Sequence, residues 1–419
     1  MRPRGANNFE SRRRPMYNPA VQLGRKHRPD YWLLMLTAAL LSIGLIVVYA
    51  ISPALAASHH VSGGYYVSKQ LIAIVLCLVA FTITASVPLE WWRRSYKPLI
   101  IVAAVATLLA LILPVNPAYP AHRWVRLGTF SFQSVELLKF AILIWLAGFL
   151  ALRVKAGEIT SSQATLKPLL MALAAIGVVI VGIQSDLGST GVIVAMMAAM
   201  AFIAGLPMGR ILAIGGIVLI GLILAISATP YRRERLQSFL HPEAHCLTSG
   251  YQACQALIAV GSGGMIGLGL GSSVQAYGYL PEAANDSIFA IYAEKFGFIG
   301  SVILLGVFIA FFARLKMIAE RLDDDFSRIL VVGVLVWLSA QTLINVGAMI
   351  GLLPLKGITL PFISYGGTSV VFAAAAVGLV FQASRYTNMS APRVKQESAS
   401  RRQAVAQNYS TSNLRKAES

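Results

Sequence analysis

Long apolar runs dominate this chain, and polar residues gather between the runs instead of alternating with apolar ones. Alternation with a period of two would point to strands, whereas unbroken apolar stretches of about 20 residues point to helices that cross a bilayer. Ten such stretches are predicted, at about 32–51, 70–87, 98–114, 135–152, 168–183, 187–206, 211–228, 287–312, 329–353 and 368–384. The expected fold is an all-α polytopic membrane protein with ten transmembrane helices. One connection, 229–286, is long and holds Ala256 through Leu270, which is apolar but glycine-rich and too short to span. Such backbone is tolerated at membrane depth only against protein or a cavity, so a re-entrant or interfacial segment is expected there. Residues 1–31 and 385–419 are polar and rich in Arg or Ser, the composition of disordered tails, which leaves 32–384 as one membrane domain.

Composition agrees. Hydrophobic residues make up 57% of the chain, charged residues 12%, and the mean hydropathy is +0.68; soluble domains carry roughly 25% charged residues. A net charge of +18 raises the question of nucleic acid, and its distribution answers it. Arg2, Arg4, Arg12, Arg13, Arg14, Arg25, Lys26 and Arg28 precede the first run, and Arg385, Arg393, Lys395, Arg401, Arg402, Arg415 and Lys416 follow the last. Basic tails around a membrane domain are the positive-inside signal and attract anionic lipid, so no nucleic-acid partner is expected. With both termini in the cytoplasm, the basic connections at Arg93, Arg153, Arg210 and Arg314 fall inside, and 52–69, 115–134, 184–186, 229–286 and 354–367 fall outside. Ala54-Leu55-Ala56 resembles a signal-peptide cleavage site, but the preceding run is too long for a signal core and further spans follow, so it reads as an uncleaved first helix.

The candidate chemistry lies on the outer side. Asp286 closes Tyr279-Leu-Pro-Glu-Ala-Ala-Asn-Asp286 where the eighth span begins, and an ionisable group at a membrane boundary is a functional candidate by default. Glu282 is in the same stretch. Arg123 and Arg126 precede Glu136 and Lys139, which are three apart on a helix and can pair within the membrane to fix packing; the two arginines either bind an anion or are simply solvated. Asp186 either caps the sixth span or shares in the site. Arg232 and Arg235 open the long loop. Lys356 and Ser364 lie in a segment whose two prolines and several glycines preclude a regular helix. Glu294 and Lys295 are about two turns below Asp286. Cationic side chains suit a diphosphate, a carboxylate suits a general base, and grooves between spans suit a lipid tail. Of the cysteines, Cys77 reads as a core residue, and Cys246 and Cys254 either pair in an oxidising compartment or remain thiols. His241, His245 and Cys246 lack a fourth ligand at zinc spacing.

These residues carry a resemblance. Arg123-Trp124 with Gln133 and Glu136, Gln184 with Asp186-Leu-Gly188, Gly250-Tyr-Gln252, Gly261-Ser-Gly-Gly264 with Gly269-Leu-Gly271, Tyr279 through Glu282 with Asn285-Asp286, and Leu353-Pro354 through Ser364-Tyr-Gly-Gly367 resemble the SEDS family (shape, elongation, division and sporulation) over about residues 30–385. Lys356-Gly-Ile-Thr-Leu-Pro361 is similar to the division branch of that family rather than the elongation branch. The resemblance implies a peptidoglycan glycosyltransferase of the inner membrane, at the division septum, that polymerises lipid II. It implies Asp286 as general base, and Arg123, Arg126, Arg232, Arg235, Glu282, Lys356 and Ser364 at the substrate. Glu136, Lys139, Asp186 and Glu294 would support them. A divalent cation, Mg2+ or Mn2+, would assist, and the partners would be a class B penicillin-binding transpeptidase and other division proteins. Ser134, Ser185, Ala276 and Ser287 depart from the usual family residues. The alternatives are a lipid II flippase, which needs polar groups through the whole bilayer, and a non-catalytic division scaffold, which does not need Asp286.

Overall fold

The structure is a computed structural model and describes residues 27–112, 124–127, 130–184, 186–227 and 230–387. Most of both expected tails lies outside the described residues. The helices are α1 (Tyr31–Ser58), α2 (Tyr65–Ser86), α3 (Leu89–Arg94), α4 (Tyr96–Ile112), α5 (Ser134–Ala156), α6 (Lys167–Ile176), α7 (Leu187–Ile203), α8 (Met208–Ser227), α9 (Pro230–Leu240), α10 (Tyr251–Ser262), α11 (Ile288–Glu320), α12 (Asp325–Met349) and α13 (Gly367–Ala383). All ten expected spans coincide with helix. Among the described residues seven helices are long and apolar enough to cross a membrane, and three shorter apolar ones, Tyr96–Ile112, Leu187–Ile203 and Met208–Gly221, stand at the remaining positions.

Their ends follow from the sequence. The Asp30 carboxylate accepts from the backbone N–H of Leu33 and caps α1, as Asp324 does for α12 through Ser327. Gly157, in the left-handed region, ends α5. One element is unexpected. In the connection 115–134, expected on the outer side, β1 (Trp124–Leu127) and β2 (Phe130–Gln133) form an antiparallel hairpin with Trp124 opposite Gln133 and Leu127 opposite Phe130. Four residues per strand leave too little alternation to stand out from neighbouring apolar runs.

The centre is built by α13, α5 and α12, of whose apolar stretches 83%, 72% and 61% of residues are buried, against 33% or less for α1, α2, α6 and α11. The outer helices present Leu, Ile and Val to their surroundings, as lipid-facing helices do. α13 crosses α2 at Gly378, where a Cβ would sit 2.0 Å from the Thr84 hydroxyl, so only glycine permits that approach.

α11 is broken at Gly297, whose φ of 65° and ψ of −163° are open to glycine alone. The backbone groups freed by the break do not go unpaired. The Glu294 and Lys295 carbonyls accept from the N–H groups of Leu268 and Gly269 at 2.9 and 3.0 Å, and Phe298 and Ile299 donate to the Gly264 and Met265 carbonyls at 2.8 and 3.1 Å. The expected re-entrant segment is therefore the piece that fills the break. Gly267 makes it fit, since a Cβ there would lie 2.2 Å from the Lys295 carbonyl oxygen. Non-helical backbone inside an apolar layer persists only when another segment satisfies it.

Candidate active site

Asp286 ends the loop that leads into α11 and is half-buried. Three consecutive backbone carbonyls hold this loop in place. The Ala284 carbonyl accepts from the Tyr365 N–H at 2.8 Å, the Asn285 carbonyl from the Ser364 hydroxyl at 2.6 Å, and the Asp286 carbonyl from the Asn345 side-chain amide at 2.7 Å. On its other side, Ser287 donates through its hydroxyl to the Pro281 carbonyl at 2.9 Å and accepts from the Gln252 amide at 3.1 Å. Each bond is modest, but together they remove the loop's freedom and fix where the carboxylate stands. One carboxylate oxygen lies against Gly357, where a Cβ would be 3.7 Å away. Asp286, Lys356 and Asn345 line one small cavity together with Ile344, Leu355 and Ile358. The turn at Gly188 supports the Lys356 segment, since a Cβ there would meet Ile358 and Lys356 at 2.8 and 2.9 Å. Residues far apart in the chain are thus closed into one site.

The other expected residues divide. Ser364, expected at the substrate, is fully buried, and its hydroxyl is engaged with Asn285 and with the N–H of Leu360, so it joins two loops. Glu282 is exposed, at a φ of 51°, and accepts from the Asn285 side chain while its carbonyl caps the turn. Asp186 caps α7, accepting from the N–H and hydroxyl of Ser189 at 3.0 and 2.9 Å. Glu136 and Lys139 form a buried ion pair at 2.7 Å. Glu294 is buried and binds the Gly-rich segment through the Ser273 hydroxyl and the N–H groups of Val274 and Gln275, while Lys295 donates to the Leu270 carbonyl at 2.6 Å. Arg126 lies on β1, and Arg232 and Arg235 lie on α9; their side chains, and all of Arg123, fall outside what is described. Tyr365 packs edge-on against Tyr66, and burial, with Tyr65 and Tyr66 nearby, pushes its phenol up to about 12, so it stays neutral and able to donate.

Asn345 is a site residue that sequence reasoning misses. It is buried, and its amide also donates to the Ile358 carbonyl at 2.7 Å, so one side chain holds the Asp286 loop to the Lys356 loop. A signal exists: Trp337, Gln341 and Asn345 recur every fourth residue and form a polar stripe on one face of an apolar helix. Asn345→Ala would leave two buried carbonyls without that donor, at a cost of about 1–3 kcal/mol. The expected result is a lower melting temperature in detergent; an unchanged one would remove Asn345 from this role.

Cys246 and Cys254 form a disulfide with a Cα separation of 5.5 Å, joining the turn after α9 to the first turn of α10. The closed loop is short, so Cys246→Ser with Cys254→Ser should cost at most about 2.5 kcal/mol. A thermal melt with and without reductant measures this, and a larger loss would mean that the bond also carries packing. Among the described residues no three His, Cys, Asp or Glu side chains converge as a metal cage.

The same arrangement of helices and loops occurs in known proteins. The sequence profile of the FtsW/RodA/SpoVE family, described as "Cell cycle protein", matches residues 31–389. A protein of Saccharophagus degradans named probable peptidoglycan glycosyltransferase FtsW is 39% identical over 365 residues, covering 85% of this chain and 92% of its own. Its namesake in Coxiella burnetii is 35% identical, covering 84% and 95%. The stage V sporulation protein E of Bacillus subtilis is 36% identical, covering 87% and 99%. In fold, a chain of a peptidoglycan synthase complex superposes with a TM-score of 0.66 and the rod shape determining protein RodA of Thermus thermophilus with 0.60, each at 24% identity, each over 85% of this chain and over 98% and 97% of the respective solved chains.

Proposed function

Since this chain belongs to the FtsW/RodA/SpoVE family of cell cycle proteins, we propose that it is a multi-pass membrane peptidoglycan glycosyltransferase that joins lipid II units into glycan strands, with Asp286 as general base. The observation that carries the assignment of the base is the fastening of the Asp286 loop by three successive carbonyls, beside Lys356 in the same cavity. Asp286 takes the proton of a sugar 4-hydroxyl. That oxygen attacks the anomeric carbon of the other chain, the bond from that carbon to the diphosphate oxygen breaks, and the lipid diphosphate leaves with the electron pair. The displacement is single, so one carboxylate suffices. Charge grows on the leaving diphosphate and calls for a cation; Lys356, in the wall of the Asp286 cavity, is one candidate, and Arg123, Arg126, Arg232 and Arg235 are the others. A Mg2+ ion would find one protein carboxylate in this cavity, Asp286, and would be held chiefly by substrate phosphate oxygens. Such an ion would supply charge neutralisation for the leaving group.

Placing the long loop outside the cell membrane is supported by its disulfide, since such bonds persist in oxidising compartments. The same orientation puts both termini in the cytoplasm of a cell whose inner membrane holds the enzyme at the septum. The flippase reading is weakened by the charged groups in the spans: Glu136 and Lys139 are joined to each other, and Glu294 and Lys295 are engaged in holding the glycine-rich segment. The test is purified full-length protein with lipid II and Mg2+, with and without a class B penicillin-binding transpeptidase, read as glycan length on a gel. Polymer is expected, and more of it with the partner. Failure to form polymer in either case would overturn the reading.

A further inference from the structure

The Cys246–Cys254 disulfide stands one helical turn and one hydrogen bond away from the base. Cys254 is in the first turn of α10, and Gln252, two residues earlier in that turn, donates to the Ser287 hydroxyl at 3.1 Å. Ser287 follows Asp286 directly. Among the described residues the first turn of α10 has few other fastenings. Gly250 is its N-cap residue and has no side chain to receive the unpaired N–H groups there. The turn before it is closed by the His245 carbonyl, which accepts from the N–H groups of Thr248 and Gly250 at 3.0 Å each, and by the Ser238–Ser249 hydroxyl bond at 2.6 Å. A helix end held in this way opens locally at small cost, and the disulfide prevents it by bonding the turn to the chain eight residues before.

The two sulfurs differ in access. Cys246 is half-buried beside Leu247, which is 94% exposed, whereas Cys254 is 6% exposed. Exchange with another thiol or disulfide therefore takes place at Cys246, with Cys254 as the resolving or leaving sulfur. Resting on the glycosyltransferase reading above, we propose that this disulfide is a redox switch on the reaction. Closed, it holds Gln252 against Ser287 and keeps the Asp286 carboxylate in place. Open, it lets the first turn of α10 fray, and the base loses its position. Gln252 is the positioning residue that links the two. To close the bond, the Cys246 thiolate attacks a disulfide of an oxidant protein, and the Cys254 thiolate then attacks the Cys246 sulfur and releases the oxidant as a dithiol. Two thiols are oxidised, and two electrons and two protons pass to the oxidant, a thiol–disulfide oxidoreductase of the compartment that holds the loop. The enzyme thus works at full rate only after its long loop has reached an oxidising compartment.

The test uses full-length protein in detergent with the transpeptidase partner, lipid II and Mg2+, with and without dithiothreitol; the state of the bond is read by mass after alkylation of free thiols. Reduction should lower kcat by about tenfold, the effect of about one hydrogen bond, with KM little changed. Reoxidation should restore it. Gln252→Leu should run at the lower rate in both states. Cys246→Ser with Cys254→Ser should do the same, which excludes an effect of the reductant on the partner. The residual rate of Asp286→Asn should not respond to reductant, because no base is left to position; a general loosening of the fold would lower that rate as well. An unchanged wild-type rate after complete reduction, or an equal fall in Asp286→Asn, would overturn the switch and leave the glycosyltransferase reading standing. No polymer from oxidised wild type would overturn that reading and the switch with it. Should the serine variant fail to fold, reduction of wild type beside reduction of Asp286→Asn decides.

Discussion

Asp286→Asn should lower the rate of lipid II polymerisation by about a hundred- to ten-thousandfold, the usual contribution of a positioned general base. Asparagine has the same shape, and the contact that fixes this position from α12 is made by the backbone carbonyl, which the substitution leaves in place. The melting temperature should therefore stay near that of wild type, which separates lost chemistry from lost structure. Asp286→Glu keeps a carboxylate but moves it by about an ångström or more in a loop that cannot adjust; misplacement on that scale costs about a hundredfold. Glycan length and rate on a gel, with folding followed in parallel, is the measurement. Wild-type rates in Asp286→Asn would end the assignment and make Glu282, exposed in the same turn, the next carboxylate to test.

Lys139→Met should be the most damaging single change to stability in the membrane interior. The Lys139 ammonium is 2.7 Å from Glu136, lies over the Trp337 ring at 5.2 Å, and is 3.4 Å from the Gln341 carbonyl oxygen. Removing it leaves the Glu136 carboxylate buried without its cation, which costs about 3–5 kcal/mol. Replacing both members, Glu136→Leu with Lys139→Met, should return most of that loss, because two apolar residues of similar size need no solvation. A double variant as unstable as Lys139→Met alone would show that the pair does more than neutralise itself. The consequence reaches the active site, since the Gln341 amide donates to the Thr359 carbonyl at 3.0 Å and Thr359 follows Ile358 in the cavity wall.

Both predictions rest on residues whose importance is legible in the sequence. Asp286, Glu136, Lys139 and Glu294 are charged residues in or beside apolar runs, and burying a charge is expensive enough that each one signals a task. The task itself is not legible there. Glu294, expected in a structural, supporting role, holds the segment that fills the break in α11, a task that depends on partners some 20 residues away. Ser364, expected at the substrate, is a buried link between loops. Asn345 carries only the signal of its four-residue spacing from Trp337 and Gln341, and an uncharged amide in a helix does not reveal its task until its partners are known.

The sequence by itself determined the ten helices, the long glycine-bearing connection and Asp186 as a candidate cap. These depend on local chemistry: apolar length against bilayer thickness, and a side chain within three residues of the N–H it receives. Only the tertiary structure decided that the Gly267 segment repairs α11 at Gly297, that three carbonyls of the Asp286 loop are held from α12 and from the loop before α13, and that Asp286, Asn345 and Lys356 line one cavity. Those features depend on partners dozens of residues away, and a backbone group carries no mark in the sequence of the donor that will satisfy it.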